Sequence, residues 1–285
     1  MTIPIGAITD EFSLDLDTAL DAMSRLGMTI AELRLIGDRN IIDLSDDEIR
    51  GVRDQVERRG LRVLSIASPV LKCVLPDAPP LDERFQQDVF GSAYTIADQP
   101  RLSERAMQIA EQTGAKFIRV FSYWRTIAPE QCHDRIVSAL RDLADRAGER
   151  GLFIGLENEH ACNVATGAEA GRILHALDHP ALVSIWDPAN AFILGETPFP
   201  DGYSKLPPGR VAHVHAKDCV INDQKPTWGA LGEMDVDWRG QIAALKRDGY
   251  AGAISLETHW RGADGDRLNA SIVCGENLRE LVKGS

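Results

Sequence analysis

With 285 residues, 44% of them apolar and 26% charged, the chain has the composition of a globular domain large enough to bury a substantial core. A net charge of −12, from 31 Lys plus Arg against 43 Asp plus Glu, argues against a general nucleic-acid or anionic-membrane binder, which would recruit its partner through basic patches. No apolar run reaches the roughly 18 residues of a membrane span, and no basic segment followed by an apolar stretch opens the sequence, so a cytoplasmic protein without membrane or nucleic-acid partners is expected.

Strand-like runs alternate with helix-period segments along the whole chain. IPIGAIT leads to LDLDTALDAMSRLG, which closes on Gly27. TIAELRL leads to SDDEIRGVRDQVERRG, where Ser45 is placed as N-cap, acids fill the first turn and Gly60 follows the end. LRVLSIAS leads through a long loop to PRLSERAMQIAEQTG, and AKFIRVFS to PEQCHDRIVSALRDLADRAGERG, with Pro129 near its first turn. LFIGLE precedes TGAEAGRILHALD; ALVSIWD precedes a Gly- and Pro-rich stretch expected to carry little helix. VAHVHAKD precedes DVDWRGQIAALKRDG, and AISLE precedes DGDRLNASIVCGENLRELVKG. Eight β-then-α units predict parallel strands joined by crossover helices, closed as a single (β/α)8 TIM barrel over residues 1–285. No glycine-rich phosphate loop follows any strand. Cys73, Cys132, Cys162, Cys219 and Cys274 are scattered without a C-x-x-C pair and read as buried free thiols. Two long connections, 69–100 with Phe85, Phe90 and Tyr94, and 219–235, follow strands three and seven. They would serve as lids or walls of the catalytic face, or as contacts in a homo-oligomer.

Four of the predicted strands end in an acid or a histidine: Glu157, Asp187, His215 and Glu257. Buried parallel strands read as near-continuous apolar runs, and Glu is almost never fully buried unpaired, so polar groups at their carboxyl ends project into the barrel mouth. Three carboxylates and one imidazole converging there form a divalent-cation site. Such hard donors suit Mn²⁺ first, with Mg²⁺, Co²⁺ or Zn²⁺ as other candidates. Asp187 also fits an N-cap or turn position in its Asp-Pro context. In HVHAKD, period two places His213, His215 and Lys217 on one face. His215 is the ligand because it lies nearer the strand end, and His213 sits one layer deeper. Lys217 and Asp218 are candidates for substrate contact or proton transfer, Glu159, His160, Asn190, His213 and His259 for substrate contact, and Trp260, just past Glu257, for the wall of a sugar pocket, like Trp124. His133, His175 and His179 fall on helices and turns and read as surface. A cation at this site would act as a Lewis acid on a hydroxy-ketone and stabilise an enediolate, with Glu157 and Glu257 as base and acid.

At these residues the chain resembles the xylose-isomerase-like TIM-barrel superfamily, and within it the sugar phosphate isomerases and epimerases. LEN at Glu157, WDPAN at Asp187, HVHAKD, GEMDVDW and SLET at Glu257 follow that pattern in order over essentially the whole chain. The resemblance implies that Glu157, Asp187, His215 and Glu257 bind the metal, and that the two glutamates exchange the proton from opposite faces of a ketose. Two positions depart from the epimerase pattern. Asn190 stands where a substrate-contacting His is usual, and Ile221 where an Arg is usual. The expected activity is therefore a metal-dependent isomerase or epimerase of a ketose or related hydroxy-ketone, working through a metal-bound enediolate on a small carbohydrate. The alternative is an inosose-dehydratase-like lyase acting on a keto-inositol or keto-sugar. An endonuclease IV-like nuclease, which needs a histidine-rich trinuclear zinc cluster, and a non-catalytic sugar-binding barrel fit the acidic balance and the four strand-end residues less well.

Overall fold

The computed structural model describes residues 3–85, 93–223 and 225–284. Eight parallel strands close into a barrel: β1 (Ile5–Ile8), β2 (Ile30–Leu33), β3 (Arg62–Val70), β4 (Phe117–Val120), β5 (Phe153–Glu157), β6 (Leu182–Trp186), β7 (Val211–Ala216) and β8 (Ala253–Leu256). Each strand pairs with its sequence neighbours, and β1 closes the ring on β8 through Ile5↔Ile254 and Gly6↔Ser255. All eight expected strands are present. Their residues are almost entirely buried because helices cover the outside while side chains fill the inside, which is why the strands read as unbroken apolar runs. Gly6 is required where β1 meets β2: a Cβ there would lie 2.4 Å from Ile30 Cβ.

The outer ring comprises α1 (Leu16–Arg25), α2 (Asp46–Arg58), α3 (Gln99–Thr113), α4 (His133–Gly148), α5 (Gly167–Ala176), α6 (Pro188–Ile193), α7 (Trp238–Arg247) and α8 (Arg267–Gly284). Local chemistry sets their starts. Ser45 and Glu48 form a reciprocal capping box on α2, Thr166 and Glu169 do the same on α5, and Asp15 and Asp237 cap α1 and α7. The sixth unit does carry a helix, but α6 has six residues, and turns over Pro198–Lys205 complete the crossover. Between barrel and helices, fully buried Leu20, Ile49, Leu140 and Trp238 belong to one continuous apolar core, each such aliphatic side chain contributing about 2 kcal/mol.

The two long connections lie at strand carboxyl ends, as expected. Residues 219–235 contain a short antiparallel hairpin, Cys219–Asn222 against Lys225–Trp228. The 69–100 connection is tied down by Gln99, whose side-chain oxygen accepts from Leu71 N–H at 2.7 Å, and by Tyr94, whose hydroxyl donates to Asp43. Phe90, expected in this loop, lies outside the described residues. All five cysteines are free and buried. No helix among the described residues is long and apolar enough to cross a membrane.

Candidate metal centre at the barrel mouth

Each of the four strand-end residues is placed by its strand, and all four are buried. Glu157 is the last residue of β5. The next residue, Asn158, clamps β5 to β6: its side-chain oxygen accepts from Asp187 N–H at 2.8 Å, and its amide donates to Asp187 O at 2.8 Å and Ala165 O at 3.0 Å. Asp187 takes the N-cap position read from its sequence and also faces the other strand-end residues. One carboxylate oxygen caps α6 by accepting from Asn190 N–H at 2.9 Å, and the other, Oδ2, faces the cluster 3.0 Å from Lys217 Nζ. His215 Nδ1 lies 2.8 Å from Glu157 Oε1 and 3.7 Å from Glu257 Oε2.

One ligand atom from each of Glu157, Asp187, His215 and Glu257 can be chosen so that all lie within 4.8 Å of one another. An octahedral ion with oxygen ligands at about 2.1 Å separates its ligands by about 3.0–4.2 Å, so the donor set is close to the span such an ion needs. Two further observations fit a cation. Glu157 Oε2 and Asp187 Oδ2 are buried and make no hydrogen bond of good geometry, their charge being met by ion pairs with Arg119 at 3.3 Å and Lys217 at 3.0 Å. The ion-pair network around them joins six buried carboxylates (Asp10, Glu11, Glu32, Glu157, Asp187, Glu257) to buried Arg34, Arg119 and Lys217 and to the His215 imidazole, so that with His215 neutral, as a metal ligand requires, a divalent ion would offset part of the carboxylate excess.

The cations meet the ligands directly. Lys217 Nζ is 2.9 Å from Glu257 Oε2 and 3.0 Å from Asp187 Oδ2. Arg119 Nη1 is 3.3 Å from Glu157 Oε2 and 3.4 Å from Glu257 Oε1, and Arg34 Nη1 is 3.1 Å from that same Glu257 oxygen. For Glu257, His215 and Lys217 burial disfavours the charged form and their partners prevail, whereas for Asp187 burial prevails. Burial lifts Asp187 to about 6 against the pull of Lys217. Burial also works to raise Glu257, but Lys217 and His215 hold it well below the usual carboxylate range. His215 and Lys217, which burial would discharge, are held well above their ordinary values by the carboxylates around them.

The period-two reading of HVHAK is met: His213, His215 and Lys217 are all fully buried. His213, however, does not reach the substrate side. Its Nε2 lies 2.7 Å from Glu32 Oε1, a layer beneath the ligands. Asp218 is a second correction. Both its oxygens are occupied by backbone N–H groups, Cys219 and Val236 on one, Gly232 and Met234 on the other, so it staples the 219–236 loop instead of serving substrate. Burial raises it to about 6 in spite of those four donors.

Glu159, His160 and Asn190 do come together at the rim. His160 Nδ1 is 2.8 Å from both Glu159 Oε1 and Asn190 Oδ1, and Lys72 Nζ lies 3.9 Å from Glu159 Oε2. Burial works to lower His160, yet the Glu159 charge raises it above its ordinary value. His259 is half-buried at φ +53°, its ring 5.0 Å from that of Trp228, and burial beside Lys217 lowers it to about 3. Trp260 is half-buried and packs against the core, while Trp228, from the hairpin, presents its ring 5.7 Å from Lys217 Nζ. Trp124 stands 5.5 Å beneath Lys72 Nζ. His175 is exposed, and His133 and His179 are half-buried on the outer ring.

Sequence reading missed Glu32, Arg34 and Arg119, and the Asp10–Glu11 pair after β1. Their signal was present. AELRL and FIRV each set a charge inside an apolar strand, and TDE follows β1 as NEH follows β5. The alternation that grouped His213 with His215 also groups Glu32 with Arg34.

Comparison with known proteins agrees with this architecture. A curated relative, the 3-dehydroshikimate dehydratase of Pseudomonas putida (strain KT2440), is 27% identical over 191 residues, covering 63% of this chain and 29% of that protein; the match thus spans less than a third of the relative. Among solved structures, an IOLI protein with a bound zinc atom superposes with a TM-score of 0.74 at 16% identity, covering 100% of this chain and 99% of that one. A D-psicose 3-epimerase determined in the presence of D-fructose gives 0.69 at 16% identity, covering 100% and 98%. At such identities the structural likeness establishes the fold. The model of the family described as xylose isomerase-like TIM barrel matches residues 20–276, and the chain belongs to that family.

Proposed function

We propose that this chain is a divalent-metal-dependent isomerase or epimerase of a hydroxy-ketone of the carbohydrate class. The observation that carries the reading is the set Glu157, Asp187, His215 and Glu257, buried at the carboxyl ends of β5 to β8 with ligand atoms within 4.8 Å of one another. These four residues would hold the ion, Mn²⁺ being the first candidate for three oxygen donors and one nitrogen. When bound, the ion supplies Lewis-acid polarisation of the substrate carbonyl.

The protein's own groups then move the proton. Glu157 and Glu257 stand on strands separated by β6 and β7, so they approach the site from two sides and are the base and acid of the exchange. Arg119, within 3.4 Å of a carboxylate oxygen of each, orients both. Lys217 provides a buried ammonium against negative charge developing on the substrate oxygen. Burial of the whole set excludes water and strengthens each of these interactions.

A second reading, a dehydratase, has its own support. The Glu159–His160 pair lies near the site, and the Glu159 charge favours the protonated imidazole, able to protonate a departing hydroxyl after the same proton abstraction. The curated relative is named for such a reaction, on 3-dehydroshikimate. The deciding experiment incubates the Mn²⁺-loaded protein in D₂O with D-fructose, D-psicose, keto-inositols and 3-dehydroshikimate, followed by NMR. Deuterium entering the carbon next to the carbonyl with retention of all hydroxyls supports the epimerase; loss of water supports the dehydratase. Full activity after exhaustive chelation would overturn the metal-dependent reading altogether.

A further inference from the structure

Beneath the ligand layer, Glu32 of β2 is fully buried and shared by two histidines of β7. Its Oε1 lies 2.7 Å from His213 Nε2, and both its oxygens lie 3.3 Å from His215 Nε2. The two imidazoles meet edge to face with ring centroids 5.3 Å apart, so neither can rotate without striking the other. Because His215 turns Nε2 toward Glu32, its Nδ1 faces Glu157 and Glu257. An ionised carboxylate can only accept, so the Glu32 contacts call for a proton on each Nε2, and the 2.8 Å contact to Glu157 Oε1 calls for one on His215 Nδ1 as well. The Glu32 contact thus fixes Nδ1 as the nitrogen turned toward the cation cluster, its proton the one a bound ion would displace. It also accounts for the buried His213 Nδ1, which has no hydrogen-bond partner: the proton of that ring is committed to Glu32.

We infer that Glu32 is the positioning residue of the metal centre, fixing the ring orientation of His215, with His213 bracing the same carboxylate from below. The inference rests on the metal-dependent reading but assigns a role to residues outside the four ligands. A carboxylate behind a metal-binding histidine raises the basicity of the ligating nitrogen and holds the ring, and losing it costs 10–100-fold in affinity in known sites. Glu32, His213 and His215 could alternatively be ligands of a second ion, since their donor atoms also lie within 4.8 Å of one another. The buried His213 Nε2 and His215 Nε2, already satisfied by Glu32, favour the relay over that arrangement.

The test combines Mn²⁺ titration, metal stoichiometry and imidazole NMR on the full chain. Wild type is expected to bind one Mn²⁺ per chain, and E32Q, nearly isosteric and folded by circular dichroism, to bind it roughly 10–100-fold more weakly. In metal-free wild type, ¹⁵N-histidine spectra should show slowly exchanging protons on Nε2 of His213 and His215, and E32Q should lose that protection. H213N, which leaves the Glu32–His215 contact, should lose less affinity than E32Q. A folded E32Q with unchanged affinity, an unprotonated His215 Nε2 in wild type, or two Mn²⁺ per chain would overturn the inference. If wild type binds no Mn²⁺ at all, the metal reading fails by itself, and the NMR result still decides whether Glu32 positions His215. Should E32Q not fold, the wild-type spectra and the stoichiometry decide.

Discussion

The two ends of the same barrel are built on opposite principles. At the amino end the interior is apolar, with Ile30, Leu64 and Ala253 forming a small cluster against Phe117. At the carboxyl end the interior is ionic, with Glu32, Glu157, Asp187, His213, His215, Lys217 and Glu257 all buried. Burying ions costs several kcal/mol each before pairing returns part of it, whereas apolar burial is favourable outright. The amino end therefore stabilises the fold, and the carboxyl end is maintained at a cost that stability does not explain. That asymmetry locates the function more firmly than any single residue.

The contrast breaks most sharply at the glutamates. Glu157→Gln and Glu257→Gln should each lower turnover by roughly 10²–10⁴-fold or beyond, because general base and ligand are removed together, with the circular dichroism spectrum unchanged. Wild-type turnover in either variant would remove the proton-exchange role. Next in size is Lys217→Met, which strands Asp187 and Glu257 without their shared partner. Metal-free protein should lose about 4 kcal/mol by denaturant unfolding, and saturating Mn²⁺ should recover part of that loss by supplying the missing positive charge. A deficit unaffected by Mn²⁺ would place the cation elsewhere.

At the other end, Ile30→Ala should cost roughly 3 kcal/mol through the cavity it leaves, with Mn²⁺ affinity unchanged. A matching loss of affinity would erase the distinction between the ends. The smallest effect belongs to the rim. His160 is held above its ordinary value by Glu159, so its protonated form is favoured in the folded state. The stabilisation is complete below about pH 6.5 and is lost as pH rises through the elevated folded value, on the order of 1 kcal/mol per unit of elevation. The difference in thermal midpoint between wild type and His160→Gln should accordingly shrink above neutrality. A difference independent of pH would mean that His160 stays neutral.

The strands, their order and the four polar strand-end positions were legible in the sequence because each depends on local pattern. An apolar run bounded by helix-period segments fixes a buried parallel strand, and a polar residue at its end has one place to go, as Glu157 and Glu257 show. Alternation likewise put His213, His215 and Lys217 on one face. The short α6 was harder to foresee, since its start depends on Asp187 acting as cap while its other oxygen faces the cluster.

What the sequence by itself determined was the barrel and the identity of its strand-end donors, both properties of one unit at a time. Which charge meets which was decided by closure of the ring. Asp218 and Asp187 each lie just past the carboxyl end of a strand, yet the 219–236 backbone occupies one and the ion cluster receives the other. Glu32 became the partner of His215 across 183 residues of sequence, and Arg34 that of Glu257 across 223. Electrostatic pairing acts through distance in space, and eight strands closed into a cylinder create distances that no window of sequence contains.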